Sequence, residues 1–188
     1  MTLIPAFEIG VWNAWVLTIW IILPIMVLFS ITKTPESKVE YSSVSSKTER
    51  NACSIYHIIT FLIIIYSIFL PLNLGTSWFY AGLVIYLLGM IAYVIVMVNF
   101  ATTPLQSEPI TKGIYRYSRH PMYVTMLIAL IGIGITSSSW LVLLLSVLYM
   151  AFTAIAVPAE ERFLLEQYGN AYREYMDRTP RWIGIPKS

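Results

Sequence analysis

The sequence predicts an all-α, polytopic membrane protein: five transmembrane helices followed by a C-terminal amphipathic cytoplasmic helix, in one membrane-embedded domain over residues 1–188. Three observations lead there. Of 188 residues, 57% are hydrophobic and only 12% charged, against about 25% charged in an average soluble domain. Mean hydropathy is +0.70. Finally, the apolar runs are long enough to span a bilayer, and the basic residues fall only on alternate connectors. A soluble domain needs more polar groups than this chain has to cover its surface. The net charge of +2 is too small to indicate a nucleic acid. The single cysteine, Cys53, excludes a disulfide framework or a cysteine-rich metal site.

About 20 mostly apolar residues cross the hydrocarbon layer as a helix. The first run is 11–31, interrupted by Pro24, where a kink is expected because proline removes one helical hydrogen bond. The second is 52–72 and the third 78–100. The fourth, 121–137, is short and contains Gly132 and Gly134. The fifth is 140–157, separated from the fourth only by Ser137, Ser138 and Ser139, which predicts a tight helical hairpin. The tail is 158–188.

The connectors set the orientation. The first carries Lys33, Lys38, Lys47 and Arg50; the third carries Lys112, Arg116 and Arg119; the tail carries Arg162, Arg173, Arg178, Arg181 and Lys187. The second connector and the serine loop carry none. All 12 basic residues therefore share one side of a five-span arrangement. The positive-inside rule makes that side cytoplasmic and places the N-terminus outside, as an integral, multi-pass protein. The N-terminus lacks the basic region of a secretory signal. The first connector, rich in Ser, Thr and Lys with charges of mixed sign, reads as a solvated linker.

Polar residues gather in two segments on that side. The first is EPITKGIYRYSRHPMY, 108–123. Pro109 and Gly113 favour a compact turn. Pro121 steers His120 out of the α region, so the fourth span begins at Pro121 with His120 at its cap. Arg119 and His120 beside a helix N-terminus make an anion site; a lipid-headgroup anchor with an aromatic belt is the simpler alternative. The second segment starts at Pro158, which either kinks the fifth span or starts a new helix. Glu160 and Glu161 follow: carboxylates in a first turn meet the helix dipole, or else they hold a cation or accept a proton. Leu164, Tyr168, Tyr172 and Tyr175 form one stripe, expected to serve packing. Arg162–Glu166 and Arg173–Asp177 stand at i,i+4 spacing.

There is no P-loop, GxGxxG or GxSxG, and the two histidines are far apart with no HExxH, so a zinc hydrolase is not indicated. No Asp, Glu, Lys or Arg lies inside the spans, which argues against a pump or ion-coupled transporter.

The runs NFATTP at 99–104, TKGIYRYSRHPMY at 111–123 and EERFLLEQYGNAYREYMDRTPRW at 160–182 resemble the isoprenylcysteine carboxyl methyltransferases, within the wider grouping that includes phospholipid methyltransferases. The resemblance covers about the C-terminal half. It implies S-adenosylmethionine as methyl donor, entering from the cytoplasm, and a lipophilic acceptor from the bilayer: a prenylcysteine-like carboxylate, a lipid amine or a thiol. No metal and no nucleic acid are implied. It places Glu108, Pro109, Ile110, Tyr115, His120, Pro121, Met122, Tyr123 and Glu160 around the donor.

Chemically, the helix N-terminus with His120 suits the donor's carboxylate, Glu160 its ammonium, and Tyr115 or Tyr123 its sulfonium or adenine. Glu161 is the candidate base for an amine or thiol acceptor. One position departs from the pattern: Ala156 stands where the carboxyl methyltransferases of this grouping carry an arginine four residues before the first glutamate. That makes a non-carboxylate acceptor more attractive, unless Arg116 or Arg119 compensates. Two other readings stay open: an NADPH-dependent membrane reductase of the sterol-reductase type, whose C-terminal pattern is similar, and a non-catalytic membrane scaffold.

Overall fold

A computed structural model describes residues 8–31, 45–103 and 108–187. Most of the first connector, with Lys33 and Lys38, and Pro104 of the NFATTP run lie outside the described residues. The described chain is all-α. Helix α1 is Trp15–Ile31, α2 Lys47–Ser67, α3 Ser77–Thr102, α4 Pro121–Thr136, α5 Trp140–Tyr168 and α6 Asn170–Arg178, with a 3-10 turn at Gly113–Arg116 between α3 and α4.

Three of these, α2, α3 and α5, are long and apolar enough to cross a membrane. The 16 residues of α4 reach only about 24 Å at about 1.5 Å per residue, short of the ~30 Å hydrocarbon core. Helix α2 begins five residues before the expected 52, because Ser46 and Glu49 form a capping box there. Ser46 Oγ accepts from the Glu49 N–H, and the Ser46 N–H donates to Glu49 Oε2 at 2.8 Å. Of the two outcomes offered for Pro158, the helix continues: α5 runs through it for 29 residues. The apolar part, 140–157, covers about 27 Å, so the last three turns project beyond it. The chain breaks instead at Gly169, whose φ of +56° few other residues tolerate. The aromatic stripe is thereby divided between α5 and α6.

Backbones approach most closely between α3 and α4. A Cβ on Gly132 would stand 2.5 Å from the Tyr86 backbone, and one on Gly89 2.6 Å from the Ala129 nitrogen. Small residues at a helix crossing allow this contact where lipid offers no hydrophobic drive between helices. Several polar side chains within the bundle find partners there, away from water. Tyr86 Oη donates to the Leu17 carbonyl at 2.7 Å, and Thr18 Oγ1 meets Ser67 Oγ at 2.9 Å, tying α1 to α3 and α2. The serine hairpin is tight as expected, with Ser138 at φ +51° and Ser139 Oγ capping α5 by accepting from the Val142 N–H.

At the opposite end the start of α2, the turn before α4 and the end of α5 meet. Arg162 Nη2 lies 2.6 Å from Glu49 Oε2, joining α5 to α2. Arg162 thus reaches across the bundle to α2. On α6 the i,i+4 pair is Glu174–Arg178, at 3.6 Å.

Candidate active site

Helix α4 starts where the sequence predicts. Pro121 occupies the first helical position and His120 the cap, with φ −128° and ψ 56°. The backbone around that cap is committed to the tail. The Arg119 N–H donates to the Pro180 carbonyl at 3.0 Å, and the His120 N–H to the Arg181 carbonyl at 3.3 Å and to Ser118 Oγ at 3.1 Å. The Gly184 N–H donates to the Tyr117 carbonyl at 3.0 Å. Residues 179–184 therefore form a strap laid along 117–120. Tyr175 Oη, donating to the Tyr115 carbonyl at 2.7 Å with the Ser118 carbonyl 3.3 Å away, fastens α6 to the same turn. The strap was not visible in the sequence.

His120, 5% exposed, stands between the two glutamates. Its Nδ1 is 3.5 Å from Glu160 Oε2, and its Nε2 is 3.2 Å from Glu161 Oε1. The neighbouring carboxylates have different surroundings. Glu160 is partly exposed, with Oε2 accepting from Tyr123 Oη at 3.2 Å. Glu161 is buried. Arg181 grips both its oxygens, Nε to Oε1 at 3.1 Å and Nη2 to Oε2 at 2.6 Å. Arg119 Nη2 adds a contact to Oε1 at 3.1 Å. Burial alone pushes the Glu161 carboxyl up, but the hydrogen bonds from His120 and Arg181 and the Arg119 charge outweigh it, holding the group at about 2 against an ordinary 4.5.

Arg119, His120, Tyr123 and Glu160 face one cavity of about 220 Å³. Pro109, Ile110, Tyr115, His120, Pro121, Met122, Tyr123 and Glu160 all line it. Glu108 does not: it lines an adjoining open cleft with Arg116, Glu174, Arg178 and Lys187, which meets the cavity at Pro109 and Tyr175. Glu161 stands behind His120 and is absent from the lining. Sequence reasoning passed over Phe100, Leu164, Tyr168, Tyr172 and Tyr175 as lining residues. The last four are the aromatic stripe assigned to packing. Its periodicity was visible; the turn that brings it against 109–123 was not.

The cavity is chemically divided. One side offers aromatic faces and the half-open carboxylate of Glu160; behind the other lies the Glu161–Arg119–Arg181 cluster. Such a chamber, at the charged end of an apolar bundle, can hold an aromatic base and a cationic group together.

Comparison with known proteins identifies relatives of the chain. The phospholipid methyltransferase family description matches residues 70–171, from just before α3 into α6. The chain is 33% identical over 78 residues to a protein-S-isoprenylcysteine O-methyltransferase of Schizosaccharomyces pombe, covering 41% of this chain and 32% of that protein. It is 32% identical over 78 residues to protein-S-isoprenylcysteine O-methyltransferase B of Arabidopsis thaliana, covering 41% and 39%. The match thus spans between about a third and two fifths of the length of these curated relatives. With more than half of its residues matched, the chain belongs to the phospholipid methyltransferase family.

Proposed function

We propose that this protein is an integral membrane methyltransferase that transfers a methyl group from S-adenosylmethionine to a lipophilic acceptor drawn from the bilayer. The observation that carries the reading is the shared cavity: His120 and Glu160, 40 residues apart in sequence, meet there at 3.5 Å. The charged end faces the cytoplasm and the N-terminus lies outside, on the distribution of basic residues.

The residues present fit the donor. Glu160, held by Tyr123 and facing the cavity, suits an ammonium, while Tyr115, Tyr123 and Tyr168 offer faces to a sulfonium or an adenine ring. Bound S-adenosylmethionine supplies an activated methyl group, so the protein's task is to align the reactants in a dry site. Pro121, Met122 and Phe100 supply apolar wall. Glu108, in the adjoining cleft, is placed to meet the donor on entry and not at its reacting centre.

Glu161 suits a positioning role better than that of a base. Its oxygens already receive Arg181, Arg119 and His120, and a carboxylate held at about 2 binds a proton poorly. Glu160 is the carboxylate with room to take a proton from an amine or thiol. Ala156 is buried on α5 and supplies no counter-ion, so an acceptor carboxylate must find its cation elsewhere.

The test is binding and turnover by purified protein in lipid nanodiscs. Tritiated S-adenosylmethionine should bind saturably, be lost in His120→Ala and Glu160→Ala, and pass label to an organic-extractable product. Saturable binding of NADPH with none of S-adenosylmethionine would turn the reading toward a reductase. Binding of neither would turn it toward a scaffold.

A further inference from the structure

Two polar atoms of the cavity's lining residues have no hydrogen-bond partner among the described residues: Arg119 Nε and Tyr172 Oη. Both are deeply buried. The Arg119 side chain is 9% exposed and Tyr172 2%. Leaving a buried polar group unbonded is unfavourable, more so if the group is charged. Both atoms are donors. Arg119 Nε–H carries no lone pair, and burial raises the Tyr172 hydroxyl well above its ordinary range, so it keeps its proton. The same hydroxyl lies within the fields of Arg119 and Glu161. By contrast, Tyr175 Oη, three residues on, is fully engaged with the turn.

We infer that Tyr172 Oη and Arg119 Nε–H form a subsite for the carboxylate of a bound ligand. His120 is already committed. Both ring nitrogens of His120 already face glutamates, and its backbone N–H is given to the strap and Ser118. Beside Tyr172, Arg119 and Arg181 outnumber Glu161, so the cluster is net positive before His120 is counted. On the other side of His120, Glu160 presents negative charge to the same cavity. Cation on one flank and carboxylate on the other match an α-amino-acid zwitterion, ammonium toward Glu160 and carboxylate toward Arg119 and Tyr172. Two ligands of the proposed reaction can bring a carboxylate: the methionine part of the donor, or a prenylcysteine-type acceptor. The inference rests on the methyl-transfer reading for this choice of ligands.

The experiment is Tyr172→Phe in the full chain in nanodiscs, which removes one oxygen that bonds to nothing in the protein. Its ligand-free melting temperature should equal or exceed the parent's, because an unsatisfied hydroxyl has gone. If the carboxylate is the donor's, Kd for S-adenosylmethionine should rise about tenfold or more, while Kd for decarboxylated S-adenosylmethionine stays within about twofold. If it is the acceptor's, donor binding should hold and KM for N-acetyl-S-farnesylcysteine should rise about tenfold instead. Either pattern supports the subsite. Changes within about twofold for donor and acceptor alike overturn it, as does equal weakening of both donor forms. A parent that binds no donor at all would take the methyl-transfer reading down, and this subsite with it.

Discussion

Replacing Glu161 by glutamine tests what the buried carboxylate does. The side chain keeps its shape and loses its charge. In the native arrangement Arg181 donates to both oxygens, and Arg119 and His120 contact Oε1. A glutamine amide turns one acceptor into a donor aimed at a guanidinium. Two routes give the magnitude. Depression of the Glu161 carboxyl from 4.5 to about 2 corresponds to about 3 kcal/mol of native-state preference for the charged form. Breaking a buried ion pair by removing one partner costs about 3–5 kcal/mol. Arg181 is partly exposed and regains some hydration, so about 3 kcal/mol is the expected loss. The sign with pH follows from a depressed carboxyl. This stability is present above pH 4.5 and disappears as pH falls toward about 2. Equilibrium unfolding in mixed micelles at pH 7 and pH 3 reads both effects. The parent should lose part of its margin at the lower pH, and Glu161→Gln should show a smaller acid loss from a lower starting value. A variant within about 1 kcal/mol of the parent at pH 7, with the same acid dependence, would refute the clamp.

Other substitutions separate packing, capping and surface charge. Gly132→Ala puts a Cβ 2.5 Å from the Tyr86 backbone, and the forced separation of α3 from α4 should cost about 1–3 kcal/mol, read as a lower melting temperature. Tyr175→Phe removes the hydroxyl bound to the Tyr115 and Ser118 carbonyls; it should destabilise by about 1 kcal/mol and speed proteolysis of the tail. Arg162→Ala should cost less than about 1 kcal/mol, with the loss fading at high salt, because its side chain is 44% exposed. Glu49→Ala should cost about 1 kcal/mol more than Arg162→Ala, since it also opens the α2 capping box.

How far the site was readable follows from the range of the interactions that build it. Where a proline or a three-residue loop decides the geometry, sequence and structure agree. Pro121 starts α4 and leaves His120 at its cap because the proline restricts its neighbour. The three serines close a hairpin because nothing longer joins the two apolar runs. Span limits were less exact where a cap overrode hydropathy: Ser46 and Glu49 start α2 while the residues are still polar. Glu160 and Glu161 illustrate the other limit. They are consecutive, equally acidic, and equally placed for a helix dipole. What separates them is Arg181, 20 residues on past the Gly169 break, and Arg119 from the turn before α4. No spacing rule links three positions across a reversal of the chain. The stripe of Tyr168, Tyr172 and Tyr175 had the right period for one buried face, but periodicity does not say whether that face meets side chains or a cavity.

The strap gives the tail a part in the site that an interfacial helix would not have. Pro180 and Arg181 accept the N–H groups of Arg119 and His120 through their carbonyls, while the Arg181 side chain turns back to Glu161. Backbone and side chain of one residue thus hold both the histidine cap and the carboxylate that faces its ring. A catalytic surface must keep its groups within about 0.5 Å of the productive arrangement, and a half-exposed helix end beside lipid has few neighbours to do this. The tail supplies them without placing charge in the apolar segment: among the described residues its ion pairs Arg178–Glu174 and Arg181–Glu161 lie beyond residue 157. Removing the strap while keeping α6 should therefore abolish donor binding before it unfolds the bundle, because the bundle's own contacts, from Gly89 and Gly132 to Tyr86 and Leu17, are all made elsewhere.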